Sequence, residues 1–157
     1  MTAPKQDTAG VLFPPPLLFI GTFLLGIALD FGASLQTLPR PPALLGLGTL
    51  LLLFPFLFGL WAVRTLRSAR TSVNPYKPST ALVTAGPFQW SRNPIYVSMA
   101  LQYVGLALLL GALGPLLLMP PVLAVVRLGV VAREERYLGH KFGEAYATYS
   151  GQVRRWL

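Results

Sequence analysis

Four apolar runs, separated by breaks that are either very short or strongly polar, constrain this chain more than any other feature. They cover about Val11 to Phe31, Ala43 to Val63, Ile95 to Leu110 and Leu116 to Val131. The first two are long enough to cross a hydrocarbon core, which takes ~20 helical residues. The last two are shorter and are joined by the five-residue turn GALGP, Gly111 to Pro115, which reads as a helical hairpin. A chain of 157 residues built this way is expected to be all-α: one polytopic membrane domain of about four transmembrane helices. The expected parts are two N-terminal transmembrane helices in 11–63, a loop in 64–94, a C-terminal hairpin in 95–131 and an amphipathic tail helix in 133–157.

Composition supports that environment. Only 11% of residues are charged and 54% are hydrophobic, and a chain this short has too little interior to hide so much apolar surface. A cleaved signal peptide is the rival reading of the first run. Its length and single leading lysine, Lys5, argue against it. Pro14 to Pro16 suit the first turn of a helix, where an absent N–H does little harm. Asp30 reads as an interfacial residue, and Pro55, Pro120 and Pro121 predict kinks or close packing within their helices. With no cysteine and one histidine, His140, thiolate chemistry, disulfides and histidine metal clusters are excluded, and no metal site is expected.

Eleven of the 13 basic residues lie in two places, the loop from Arg64 to Arg92 and the tail from Arg127 to Arg155. The positive-inside rule puts both segments, and with four crossings both termini, on the cytoplasmic side. The bilayer therefore accounts for the basicity, and no nucleic-acid partner is expected. The loop carries apolar and aromatic residues (Val73, Tyr76, Leu82, Val83, Phe88, Trp90) that should pack against something. In the tail, Leu138, Phe142, Tyr146, Tyr149, Val153 and Trp156 recur at helical spacing, so a single helix should lie on the membrane or over the loop.

Two polar clusters stand out. In GPFQWSRNPIY, Gly86 to Tyr96, Asn93 followed by Pro94 is a natural helix start, with asparagine as N-cap and proline at the first helical position. Just after the fourth run comes Glu134-Glu135, whose side chains would point about 100° apart on a helix. The hairpin brings both clusters to one end. A cation and a helix N-terminus come from one side, carboxylates and aromatics from the other, which suits a zwitterionic, nucleoside-bearing cofactor.

The runs TSVNPYKPSTALVTAGPFQWSRNPIY and REERYLGHKFGEAYATYSGQVRRW together resemble the isoprenylcysteine carboxyl methyltransferase and phospholipid methyltransferase superfamily of integral membrane enzymes. The shared pattern is a glycine–aromatic stretch leading to Arg-His/Asn-Pro-x-Tyr, then Glu-Glu-x-x-Leu-x-x-x-Phe-Gly-x-x-Tyr-x-x-Tyr before a basic end. The resemblance spans Thr71 to Trp156 and implies methyl transfer from S-adenosylmethionine, leaving S-adenosylhomocysteine, at the cytoplasmic face. It implies that Gly86, Pro87, Phe88, Arg92, Asn93, Pro94 and Tyr96 line the cofactor pocket. Glu134 and Glu135 would close it, and Leu138, Phe142 and Tyr146 would pack the tail over it. Arg92, Tyr96 and Glu134 become the catalytic candidates.

Asn93 stands where histidine is frequent, and Ser98 where glycine often follows the tyrosine by two. The first departure leaves the cofactor expectation in place and removes that residue as a general base, so Glu134, Glu135 or Tyr96 would have to serve an amine acceptor. Tyr96 or Trp90 would face the sulfonium through a cation–π contact. The acceptor is expected to be lipophilic or small and to offer a carboxylate, thiol or amine. A bundle this small can dimerise through its first two helices. The competing readings are an NADPH-dependent membrane reductase related to sterol reductases and a non-enzymatic small membrane protein.

Overall fold

The computed structural model describes residues 8–35 and 37–157, so Lys5 and, in the turn between the first two runs, Gln36 lie outside the described residues. Among these residues the regular structure is helical: α1 (Pro15–Gly32), α2 (Pro42–Ser68), α3 (Pro94–Leu110), α4 (Leu113–Val126), α5 (Ala132–Phe142) and α6 (Glu144–Gln152). A 3₁₀ turn occupies Gly86–Gln89, and a π turn at Arg127–Val131 welds α4 and α5 into one rod.

Three of the helices begin on a proline at the first helical position, Pro15, Pro42 and Pro94. The preset φ suits a helix start, and the missing N–H is one that a first turn leaves unpaired anyway. This moves the start of α1 inward from Val11. The stretch before it turns back instead, and the Leu12 amide donates to the Gly129 carbonyl at 3.3 Å. At the other end α2 runs past Val63 to Ser68. Pro55 lies within α2, fully buried, and α4 continues through Pro120 and Pro121.

Helices α1, α2 and the α4–α5 rod, of 18, 27 and 30 residues, are each long and apolar enough to span a bilayer, and α3 is a shorter apolar helix of 17. The apolar part of the rod ends at Ala132; Arg133 to Arg136 follow and lie beyond the span. The protein is an integral membrane protein, and its surface shows why. On α2, Leu50, Leu53, Phe54 and Leu57 are all exposed, which hydrocarbon tolerates and water does not.

Helix α3 is the hub, packing against α2 on one side and against α1 and α4 on the other, while α1 and α4 pair with each other. Lipid tails are as apolar as leucine, so close backbone approach replaces hydrophobic burial as the means of association. A Cβ on Gly105 would come within 2.8 Å of the Gly48 carbonyl oxygen, and one on Gly59 within 2.8 Å of the Ser98 hydroxyl. On the other seam a Cβ on Gly26 would fall on the backbone of Gly114 and Pro115. Between the seams, Phe19 and Phe23 of α1 meet Tyr103 of α3 edge-on, at 6.1 and 5.0 Å between ring centres.

The tail departs from the expected single helix. The α4–α5 rod carries on to Phe142, breaks at Gly143, resumes as α6 and ends in a non-helical strap, Val153 to Leu157. Gly143 has φ 54° and ψ −125°, a conformation closed to residues with a Cβ. The stripe survives the break. Leu138, Phe142, Tyr146, Tyr149 and Val153 share one cluster with Ala62, Leu82, Val83 and Phe88, while Trp156 joins the core around Tyr103. The tail thus packs over the loop.

Candidate functional site

The loop after α2 is held by its own polar side chains. The Thr80 hydroxyl donates to the Arg70 carbonyl at 2.7 Å, and the Thr80 amide donates to the Thr71 hydroxyl at 3.0 Å. The Asn74 side chain accepts the Tyr76 amide at 2.9 Å, a local turn that asparagine makes readily. The Ser79 amide reaches across to the Tyr137 hydroxyl on α5 at 3.0 Å. Behind this frame, Leu82 and Val83 sink into the cluster shared with α6.

The 3₁₀ turn then delivers the chain to α3. Gly86 has φ +62°, and a Cβ there would meet the Thr65 hydroxyl at 3.1 Å and the Trp61 indole nitrogen at 3.3 Å. Pro87 and Phe88 are buried, and the Tyr149 hydroxyl donates to the Phe88 carbonyl at 2.8 Å, pinning α6 to the turn. Asn93 occupies the N-cap position of α3, but its side chain does not cap. Its amide group donates to the Arg155 carbonyl at 3.0 Å, and its backbone N–H donates to the Ser91 hydroxyl at 3.1 Å. The C-terminal strap has claimed the side chain that sequence assigns to the helix.

Charges converge beside it. One oxygen of Glu135 lies 3.2 Å from the Arg92 guanidinium. Arg155 binds the same carboxylate through two nitrogens, Nε at 2.9 and 3.1 Å and a terminal nitrogen at 2.7 Å. Those bonds hold the Arg155 proton more tightly than usual. Glu134 points elsewhere, as its 100° offset requires, and accepts the Tyr96 hydroxyl at 2.8 Å. Burial pushes the Glu134 carboxyl up to about 7; the Tyr96 hydrogen bond opposes the shift and the Glu135 charge adds to it. Burial also raises the Tyr146 phenol, with Glu135 adding and Arg92 opposing. The Arg92 Nε is buried with no hydrogen-bond partner among the described residues.

Apart from Arg155, these groups line one cavity that opens to the outside. Of the residues singled out in sequence, Phe88, Arg92, Asn93, Pro94, Tyr96, Glu134, Glu135, Leu138 and Tyr146 line it. Gly86, Pro87 and Phe142 do not. Gly86 and Pro87 shape the turn, and Phe142 packs in the cluster behind. Trp90 is a correction. Instead of facing a sulfonium it stands 59% exposed outside the cavity, stacked on Phe58 of α2 at 6.2 Å and edge-on to Trp61 at 5.6 Å. His140 is exposed, as its place off the apolar stripe implies.

Sequence reasoning missed one whole wall. Thr71 to Pro75, Lys77, Ser79 and Ala81 to Val83 face the cavity from the loop, and Tyr137 and Tyr149 from the tail. Tyr149 belongs to the tail pattern that sequence showed, whereas Tyr137 falls outside it and the loop wall has no periodicity that could have revealed it. The arrangement offers a cation, two carboxylates in different states of pairing, and an aromatic and aliphatic lining. Such a site can take a ligand bearing a carboxylate, an ammonium and a planar ring together.

Comparison with known proteins agrees with the two motifs. A phospholipid methyltransferase family profile matches residues 44–145, about two thirds of the 157 residues, from the start of α2 to the residue before Tyr146. No curated protein and no solved structure matches the chain. The match embraces α2, the loop, the hairpin and both carboxylates, and on that ground the chain belongs to the phospholipid methyltransferase family, within the integral membrane methyltransferase superfamily.

Proposed function

We propose that this membrane methyltransferase takes its methyl group from S-adenosylmethionine and passes it to a lipophilic or small acceptor at the cytoplasmic face. The observation that supports this most is the meeting of Arg92 and Tyr96 from one motif with Glu134 and Tyr146 from the other around one cavity. The cofactor fits the residues present. Its carboxylate answers the unsatisfied Arg92 Nε, and its cationic and hydroxyl groups answer Glu134, whose neighbour Glu135 is already engaged by two arginines. The aromatic wall of Phe88, Tyr146 and Tyr149 suits a purine ring.

When bound, the cofactor supplies an electrophilic methyl on a sulfonium. The chain's own contribution is position and the exclusion of water, because an in-line attack on such a methyl needs little else. Tyr96 holds Glu134 at 2.8 Å, fixing the carboxylate toward the cavity. With a carboxylate or thiolate acceptor Glu134 acts through its charge alone; with an amine it also accepts a proton, for which a value about 7 is well placed. The exposed apolar faces of the helices are compatible with an acceptor arriving from the bilayer, and the clustering of arginine and lysine supports a cytoplasmic placement of the site.

Calorimetric titration of the detergent-purified protein with S-adenosylmethionine, S-adenosylhomocysteine and NADPH tests the reading. Micromolar S-adenosylhomocysteine binding that is lost in Arg92→Ala and in Glu134→Ala is the expected result. Binding of NADPH without either sulfur compound would overturn it.

A further inference from the structure

Glu135 is the one carboxylate at the site with two cationic partners, and those partners are unequal. Arg155 grips it with three contacts between 2.7 and 3.1 Å, whereas Arg92 meets it at 3.2 Å through one nitrogen. They are also differently placed. Arg92 lines the cavity and keeps its Nε buried without a partner, while Arg155 lies behind Glu135, outside the cavity lining. Planar, bidentate pairing resists displacement, and a single-point contact gives way more readily.

The rest of the strap reinforces the stronger grip. The Arg154 carbonyl accepts the Arg92 amide at 3.0 Å, and the Arg155 carbonyl accepts the Asn93 side chain at 3.0 Å. Trp156 is packed into the core around Tyr103. Arg155 therefore sits on a segment anchored at both flanks, against the backbone that carries Arg92 and against the bundle. No residue of this strap figures among the sequence-derived site residues, and the family match ends before it, at residue 145.

We propose that Arg155 is a positioning residue of the cofactor site. It neutralises Glu135 from outside the cavity, so that Arg92 can turn from that carboxylate to the carboxylate of the ligand without leaving Glu135 unpaired. Without Arg155, Glu135 has Arg92 as its one remaining cation and holds it back from the ligand. Splitting that pair would then strand a half-buried charge, which is the costly way to break an ion pair. The inference rests on the cofactor reading above and concerns how the site keeps a cation available.

The test is a cycle of variants titrated with S-adenosylhomocysteine, with helicity and melting temperature recorded for each. Arg155→Ala should weaken binding roughly tenfold, the low end of what a hydrogen bond to a charged group contributes. Adding Glu135→Gln to it should recover most of that loss, because Arg92 is then no longer retained. Arg155→Lys should fall between wild type and alanine, and it carries the test should the alanine variant fail to fold. Wild-type affinity in Arg155→Ala overturns the proposal. So does a double variant as weak as the single one, since a merely structural role predicts added damage and no rescue. Failure of the wild-type protein itself to bind would instead sink the cofactor reading.

Discussion

The two ends of this helical bundle use carboxylates in opposite ways. At the hairpin tip, Asp30 of α1 accepts the Gly114 amide at 2.7 Å and so caps α4 from a neighbouring helix. Its job is structural: the first N–H groups of a helix lack partners in their own turn, and bilayer provides none. At the loop end, Glu134 and Glu135 stand beside a cavity, each with partners from distant parts of the chain, and one of the surrounding cations remains incompletely satisfied. The tip closes the fold with one Asp30 oxygen, its other oxygen being buried without a partner among the described residues. The loop end arranges its polar groups around a cavity instead, and the difference teaches which residues can be changed without unfolding the protein.

That contrast can be broken by experiment. The largest effect is expected at the loop end, where Arg92→Ala or Glu134→Ala should lower S-adenosylhomocysteine affinity about 100-fold, from loss of a charged hydrogen bond worth ~2–3 kcal/mol. Melting in detergent should change far less. Next comes the tip seam. Gly114→Ala drives a methyl into the Gly26 carbonyl, and overpacking of this kind costs about 1–3 kcal/mol, read as a lower denaturation midpoint with ligand affinity retained in the folded fraction. Asp30→Ala should cost about 1–2 kcal/mol through the unpaired Gly114 amide, again without a change in affinity. Equal damage to binding from the tip variants would erase the distinction.

The most gradual effect is a slope with pH. Glu134 has a folded-state value raised to about 7 from an ordinary 4.5, so the folded protein binds more protons than the unfolded chain between those values. Glu134's contribution to stability is therefore lost as pH rises through that window and levels off above it. Melting temperatures from pH 4.5 to 8 should show the decline in wild type, and Glu134→Gln should remove Glu134's share of it. An unchanged slope in that variant would place the titrating group elsewhere.

Much of this architecture was legible beforehand, though unevenly. Apolar run length located α2 to within a few residues, and Asn93-Pro94 marked the start of α3. The loop was expected to pack and does, through Leu82, Val83 and Phe88, but Trp90 and Tyr76 stay exposed. Aromatic character signals burial or an interface, and pattern alone does not choose between them. Asp30 looked like an interfacial bystander because its partner, Gly114, is remote in sequence and carries no side chain. Arg155 looked like one more basic residue at a charged end, for the same reason: its importance comes from a contact with Glu135 that no local spacing announces.

What the sequence by itself determined is the set of spanning helices and the pairing of the two motifs: apolar length demands spans, a short turn demands a hairpin, and a hairpin must bring its ends together. What only the tertiary structure decided is phase and partnership. The π turn at Arg127–Val131 inserts a residue into the rod and rotates everything after it by ~100°, which sets the faces that Glu134 and Glu135 present. The break at Gly143 folds the tail stripe back over the loop. Both depend on packing between segments far apart in the chain, energies that a reading of neighbours along the sequence does not contain.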